Sequence, residues 1–101
     1  MQDVELTLKS ARLVNAFLAE PGCARYGLEL MRLTGMPSGT MYPLLARFES
    51  AGWLTRTRED IDPVAEGRPR RTLYTLTEEA VPVARAKMAA LAAEFTPGER
   101  S

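Results

Sequence analysis

The chain has 101 residues, 46% of them hydrophobic, with 13 Lys and Arg balanced by 13 Asp and Glu and no histidine. That length supports one domain with a modest core and little spare stability as a monomer. Without histidine, a metal-ligand cluster or a Gly-rich phosphate loop, no nucleophile finds its base, so an enzyme, a metal or a cofactor is not expected.

The opening MQDVELTLK carries acidic residues and no apolar stretch, which argues against a secretory signal. No apolar run approaches the ~20 residues needed to span a bilayer. Cys23 is the single cysteine, so the expectation is a cytoplasmic protein, away from membranes and without a disulfide framework. As a lone thiol in a Pro-Gly-Cys-Ala loop it reads as a passive small residue.

Residues 4–19 predict the first helix. Leu6, Leu13, Val14, Phe17 and Leu18 share one face at 3.6-residue spacing, with Lys9, Arg12 and Asn15 mostly opposite. Asp3 or Thr7 is placed to cap its start, and Pro21-Gly22 ends it. A second helix is predicted over 26–34, with Gly35 as its left-handed stop. After the tight turn Met36-Pro37, Ser38 reads as the N-cap of a third helix that runs to Ala51 and stops at Gly52. Residues 53–58 and 71–76 alternate β-branched, aromatic and polar side chains, which predicts two strands. The intervening EDIDPVAEGRP is too polar for core and reads as the loop of a long hairpin. The last helix is predicted from a cap at Thr77, with Glu78 and Glu79 at its positive end, to about Phe95, closed by Pro97-Gly98.

The expected fold is therefore mainly α with a β-hairpin wing: a winged helix-turn-helix with an additional C-terminal helix. Residues 1–76 would form the DNA-binding part and 77–101 the dimerisation helix and tail, packed as one compact domain. Val81, Ala84, Met88, Leu91 and Phe95 are spaced 3, 4, 3 and 4 apart, an a/d seam over two heptads that suits either a second subunit or the domain's own core.

The third helix is unusual. Met41, Leu44, Leu45 and Phe48 fall within one arc, and opposite them lie Gly39, Pro43, Ala46 and Ser50, flanked by Thr40, Tyr42 and Arg47. Exposed helix faces normally carry Lys and Glu; one built from Gly, Pro, Ala and Ser suits a surface that another backbone must approach closely. In a DNA major groove, small residues admit the helix while hydroxyls or Arg reach phosphates and base edges. The free amides of Ser38, Gly39 and Thr40 suit a phosphate. Pro43 either kinks the first turn or marks the true start, with 38–42 as a capped loop.

Between 68 and 71, three of four residues are Arg (Arg68, Arg70, Arg71), fit for phosphate contact or for guarding an edge strand. Arg56 and Arg58 share a strand face, where pairing with Glu59 or Asp60 competes with DNA contact. Trp53 and Tyr74 are expected to pack the wing base. The zero net charge keeps a second reading open, a winged-helix module that docks a protein through its third helix.

These blocks carry a resemblance. YGLEL at 26–30, GTMYPLLARFESAGWL at 39–54 and GRPRRTLYTLTEEA at 67–80 resemble PadR-like transcriptional regulators in content and order, over roughly residues 11–85. The Tyr-Pro inside the third helix followed by a G-R-P-R-R wing is the specific part. The resemblance implies a homodimeric repressor on a palindromic double-stranded operator. It would touch DNA through Ser38, Gly39, Thr40, Tyr42, Pro43 and Arg47 on the helix and through Arg68, Arg70 and Arg71 on the wing. It further implies that Leu6, Leu13 and Phe17 of the first helix share the dimer interface with the C-terminal seam, and that a small-molecule effector of unidentified chemistry releases the operator. Two features depart from the family pattern. Pro82 falls early in the last helix, which predicts a kink or a later start, and the C-terminal part lacks the Trp or Tyr of an aromatic inter-subunit pocket.

Overall fold

The computed structural model describes residues 1–95. Helix α1 is Leu8–Leu18, strand β1 Arg25–Tyr26, α2 Gly27–Thr34, α3 Ser38–Ser50, β2 Leu54–Arg58, α4 Pro63–Glu66, β3 Thr72–Leu76 and α5 Ala80–Ala93. The fold is a winged helix-turn-helix, mainly helical with a small antiparallel sheet.

Thr7, not Asp3, starts α1. The Thr7 hydroxyl accepts from the Ser10 amide at 3.2 Å while the Ser10 hydroxyl accepts from the Thr7 amide at 2.7 Å, a reciprocal capping box. The three positions before it, 4–6, imitate a helical pattern for a different reason. The N-terminal residues are not helical and cross the end of α3: the Gln2 amide donates to the Ala51 carbonyl at 2.7 Å, the Trp53 indole donates to the Gln2 carbonyl at 2.8 Å, and Val4 is buried. Asp3 instead pairs with Lys87 of α5 at 2.7 Å.

Helix α2 stops at Gly35 in the left-handed conformation, φ 74°, and α3 begins at Ser38, the residue expected to be its cap. Pro37 is the N-cap and Ser38 the first helical residue, because the Pro37 carbonyl takes the Thr40 and Met41 amides at 3.1 and 3.0 Å. The helix continues through Pro43, so 38–42 is a helical turn rather than a capped loop. Met41, Leu45 and Phe48 are fully buried and Leu44 partly so. The Phe48 ring meets Trp53 at 5.2 Å with the planes tilted by 59°.

These side chains share one core with Leu13, Phe17, Leu30 and Ala84. Leu13, Phe17 and Ala84 are 0%, 2% and 0% exposed within a single protomer, which removes them from any dimer surface. A helical stripe says that a face is buried and leaves open against what. Trp53 and Tyr74 are core residues at the wing base.

The sheet order is β1-β3-β2, all antiparallel. Leu54 to Arg58 pair with Leu76 to Thr72, and the two-residue β1 adds Arg25 opposite Tyr74 and Tyr26 opposite Leu73. Two residues carry no period, so β1 left no trace in the sequence pattern. Within the hairpin loop, Asp62 caps the Val64 amide at 3.0 Å, Pro63 fills the first helical position and Gly67 closes at φ 69°, giving the one-turn α4.

Thr77 does hold the start of the last helix: its hydroxyl accepts from Ala80 at 3.2 Å and donates to the Gly52 carbonyl at 3.2 Å. The continuous helix nevertheless begins at Ala80, with Glu79 before it already in helical conformation. Pro82, which has no N–H, cannot extend the ladder that the Val81 amide opens on the Thr77 carbonyl at 3.3 Å, and this delays the continuous helix. The end expected at Pro97-Gly98 lies outside the described residues.

Candidate nucleic-acid interface

The outer side of α3 is bare. Ser38, Gly39, Pro43, Ala46, Arg47 and Ser50 are exposed and Thr40 is half-buried. Arg47 enters no ion pair among the described residues. Tyr42 is 46% exposed, and its position is set by the neighbouring helix. Its hydroxyl lies against Gly27, where an added Cβ would overlap the hydroxyl and come within 2.8 Å of Cζ. Gly27 is thus a residue of the site that sequence reasoning missed; its signal was a glycine at the first position of a helix, where helix propensity disfavours it. Tyr42 therefore spans the gap between the two helices with one ring edge left to solvent.

The wing is more strongly structured than a polar loop suggests. The Arg68 guanidinium holds Glu59 with two hydrogen bonds of 2.7 and 3.0 Å, and the Glu59 carboxylate also accepts the Arg71 amide at 3.1 Å. Arg68, aided by that amide, holds the Glu59 carboxyl at about 2, far below its ordinary value. Glu59 was read as a partner for Arg56 or Arg58. Instead it organises the wing across nine residues, a span over which sequence patterning gives no signal. Arg56 pairs with Glu49 of α3 at 3.3 Å, bracing β2 against the helix.

The wing cations accordingly differ in availability. Arg68 is half-buried and committed to Glu59. Arg70 is exposed and donates through Nε to the Ile61 carbonyl at 2.9 Å, which leaves its outer guanidinium nitrogens free for an anion. Arg71 stacks over the Tyr26 ring, 4.2 Å from its centroid. Arg58 is exposed without an ion pair among the described residues.

Helix and wing meet at a cleft of about 280 Å³ lined by Tyr26, Gly27, Tyr42, Arg56, Arg71 and Tyr74, among others. Tyr26, Tyr42 and Arg71, expected on three different elements, are brought to one concave surface. Burial pushes the Tyr74 phenol up, which favours its neutral form.

Away from this surface, Val81, Met88 and Leu91 are partly buried and Phe95 is 65% exposed. Leu6 is partly buried against the core. Leu8, Ala11, Met88, Leu91 and Phe95 line an apolar groove of about 320 Å³ between α1 and α5. Among the described residues there is no cluster of potential metal ligands and no helix long and apolar enough to cross a membrane.

No protein-family model and no curated protein sequence matches the chain. Its fold, however, matches solved structures well. The PcaV transcriptional regulator of Streptomyces coelicolor superposes with a TM-score of 0.71 at 27% identity, over 90% of this chain and 61% of that one. AbfR of Staphylococcus epidermidis, in a DNA-bound form, gives 0.70 at 22% identity over 93% and 62%. A PadR-like transcription factor of Bacteroides fragilis gives 0.66 at 18% identity over 87% and 86%. The chain thus spans about three fifths of the length of the first two. These neighbours are winged-helix transcriptional regulators, and the likeness identifies the fold.

Proposed function

We propose that the chain is a sequence-specific DNA-binding transcriptional regulator, a PadR-like homodimeric repressor. The observation that carries this reading is the bare face of α3, set beside a wing whose Arg70 is exposed and whose backbone is fixed by Glu59. Ser38, Gly39, Thr40, Tyr42, Pro43 and Arg47 lie along the groove-facing side, and the small ones let the helix backbone descend between phosphate rows. Arg70 and Arg71 contact the phosphate backbone, with Arg68 acting through the wing's shape. The quoted Tyr-Pro and G-R-P-R-R blocks support the PadR-like assignment.

Residues 1–76 read DNA in this proposal, and α5 with the tail to residue 101 pairs the subunits. Val81, Met88, Leu91 and Phe95 supply that contact, with Leu8 and Leu6 from the N-terminal segment. Pairing sets two α3 helices about one DNA turn, ~34 Å, apart on a palindrome. A small-molecule effector would act by changing that spacing or the wing.

Salt dependence provides the test. Binding to a selected operator fragment should weaken steeply as salt rises, because each phosphate contact releases counterions. The second reading, a protein-docking module, draws on the zero net charge and on the internal pairing of Arg56 and Arg68. It requires the α3 face to bind a protein with little salt sensitivity, and fragments retained by the purified chain to show no shared sequence.

A further inference from the structure

A cavity of about 400 Å³ lies between α1, β1 and α2, away from the cleft that joins α3 to the wing. One part of its wall is Ala16, Ala19 and Leu33; another is Arg12, Asn15 and Arg25. Its volume suits a small organic molecule.

The hydrogen-bonding groups of this wall are unequally engaged. Thr34, also in the lining, is satisfied: its hydroxyl donates to the Leu30 carbonyl at 2.7 Å and accepts the Met36 amide at 3.2 Å. Arg25 is not. Its side chain is only 12% exposed; Nη1 donates to Glu29 at 2.8 Å, while Nη2 reaches the largely exposed Glu20 at 3.4 Å. Nε is buried with no partner among the described residues. Buried donors on charged groups are seldom left unmade. The Nε–Nη2 edge of a guanidinium is shaped to hold a carboxylate side-on with two parallel hydrogen bonds; here Nε is unpaired beneath the surface and Nη2 is weakly held by Glu20, whose departure would open the edge. Arg12, exposed and without an ion pair among the described residues, adds a second cation.

We propose that this cavity binds a small aliphatic carboxylate. The ligand's carboxylate takes the Nε–Nη2 edge of Arg25 from Glu20, facing Arg12, and its hydrocarbon body rests on Ala16, Ala19 and Leu33. The apolar wall favours an organic acid over inorganic phosphate. No aromatic side chain lines the cavity, so a compact branched body fits better than a ring that would stack. Occupancy is also felt at the wing, because Arg25 is followed by Tyr26, whose ring carries Arg71. The site stands whether or not the chain reads DNA.

The test is a titration of the isotope-labelled full chain with 3-methylbutanoate, without DNA, followed by NMR. A saturable shift of the Arg25 Nε–H, with a smaller one at Arg71, is the expected result, and neutral 3-methylbutanamide should leave both in place. Arg12→Gln, at an exposed position, should weaken binding about tenfold while preserving the spectrum. Glu20→Gln, which frees the guanidinium edge, should tighten it. The proposal is overturned by an absent or unsaturable Arg25 shift at millimolar ligand, by an equal response to the amide or to inorganic phosphate, or by shifts centred on Leu91 and Phe95 in the other groove.

Discussion

Helix α3 and the wing solve the same problem in opposite ways. The helix offers contact by removing side chains: along Gly39, Pro43, Ala46 and Ser50 little stands between its backbone and a partner. The wing offers contact by adding charge, and then engages much of that charge internally, Arg68 on Glu59, Arg56 on Glu49 and Arg71 on Tyr26. Shape complementarity therefore belongs to the helix, and electrostatic attraction to a few exposed cations such as Arg70 and Arg58. A zero net charge is compatible with DNA binding on these terms, because acids such as Glu49 and Glu59 hold basic groups in place.

The sharpest contrast lies within α3 itself. Phe48→Ala removes a fully buried ring in contact with Trp53 and should cost about 3–5 kcal/mol of stability by denaturant unfolding, whereas Ser50→Ala should stay within ~0.5 kcal/mol. Ala46→Glu should do the reverse, leaving unfolding nearly unchanged while weakening operator binding about 100-fold or more in a fluorescence titration, since it puts bulk and negative charge against phosphate. If Ala46→Glu binds normally, the bare face is not the contact and the division of labour collapses.

Smaller effects separate reading from attraction. Tyr42→Ala should cost about 1–3 kcal/mol and change the preferred sequence, and Gly27→Ala should reproduce part of that loss by displacing the Tyr42 hydroxyl. Arg70→Ala should weaken binding to all sequences similarly and lower the salt slope by about 1. A change in sequence preference from Arg70→Ala would move specificity onto the wing.

The smallest effect concerns the Glu59 carboxylate. Because folding lowers its pKa to about 2, its contribution to stability is complete above the ordinary carboxylate value and declines below it, to be lost as pH falls through about 2. Carboxyl NMR should place the Glu59 midpoint near that value in the native chain, and Arg68→Ala should return it toward the ordinary carboxylate range. An unchanged midpoint would mean that Arg68 does not organise the wing.

The elements with a period of their own were legible in sequence: the stripes of α1 and α3, the glycine stops at Gly35 and Gly52, and the alternation of β2 and β3. What escaped were features held by distant partners. Strand β1 exists because β3 offers it an edge. The first residues lie outside the helix because α3 ends in a carbonyl that takes the Gln2 amide. Leu13 and Phe17 were expected at an interface through the family resemblance and Ala84 through its heptad spacing, and all three are core within one protomer because three elements converge on them. Of the site, the helix residues and Arg70 were visible as composition, while Glu59 and Gly27 act through contacts that no local pattern encodes.

The Gln2 anchor bears on how portable the helix-turn-helix is. Transplanting residues 26–53 alone into another scaffold would strip away the carbonyl that receives the Trp53 indole and the amide that quiets Ala51. The graft would fray from its C-terminal end, where both Gln2 bonds are lost.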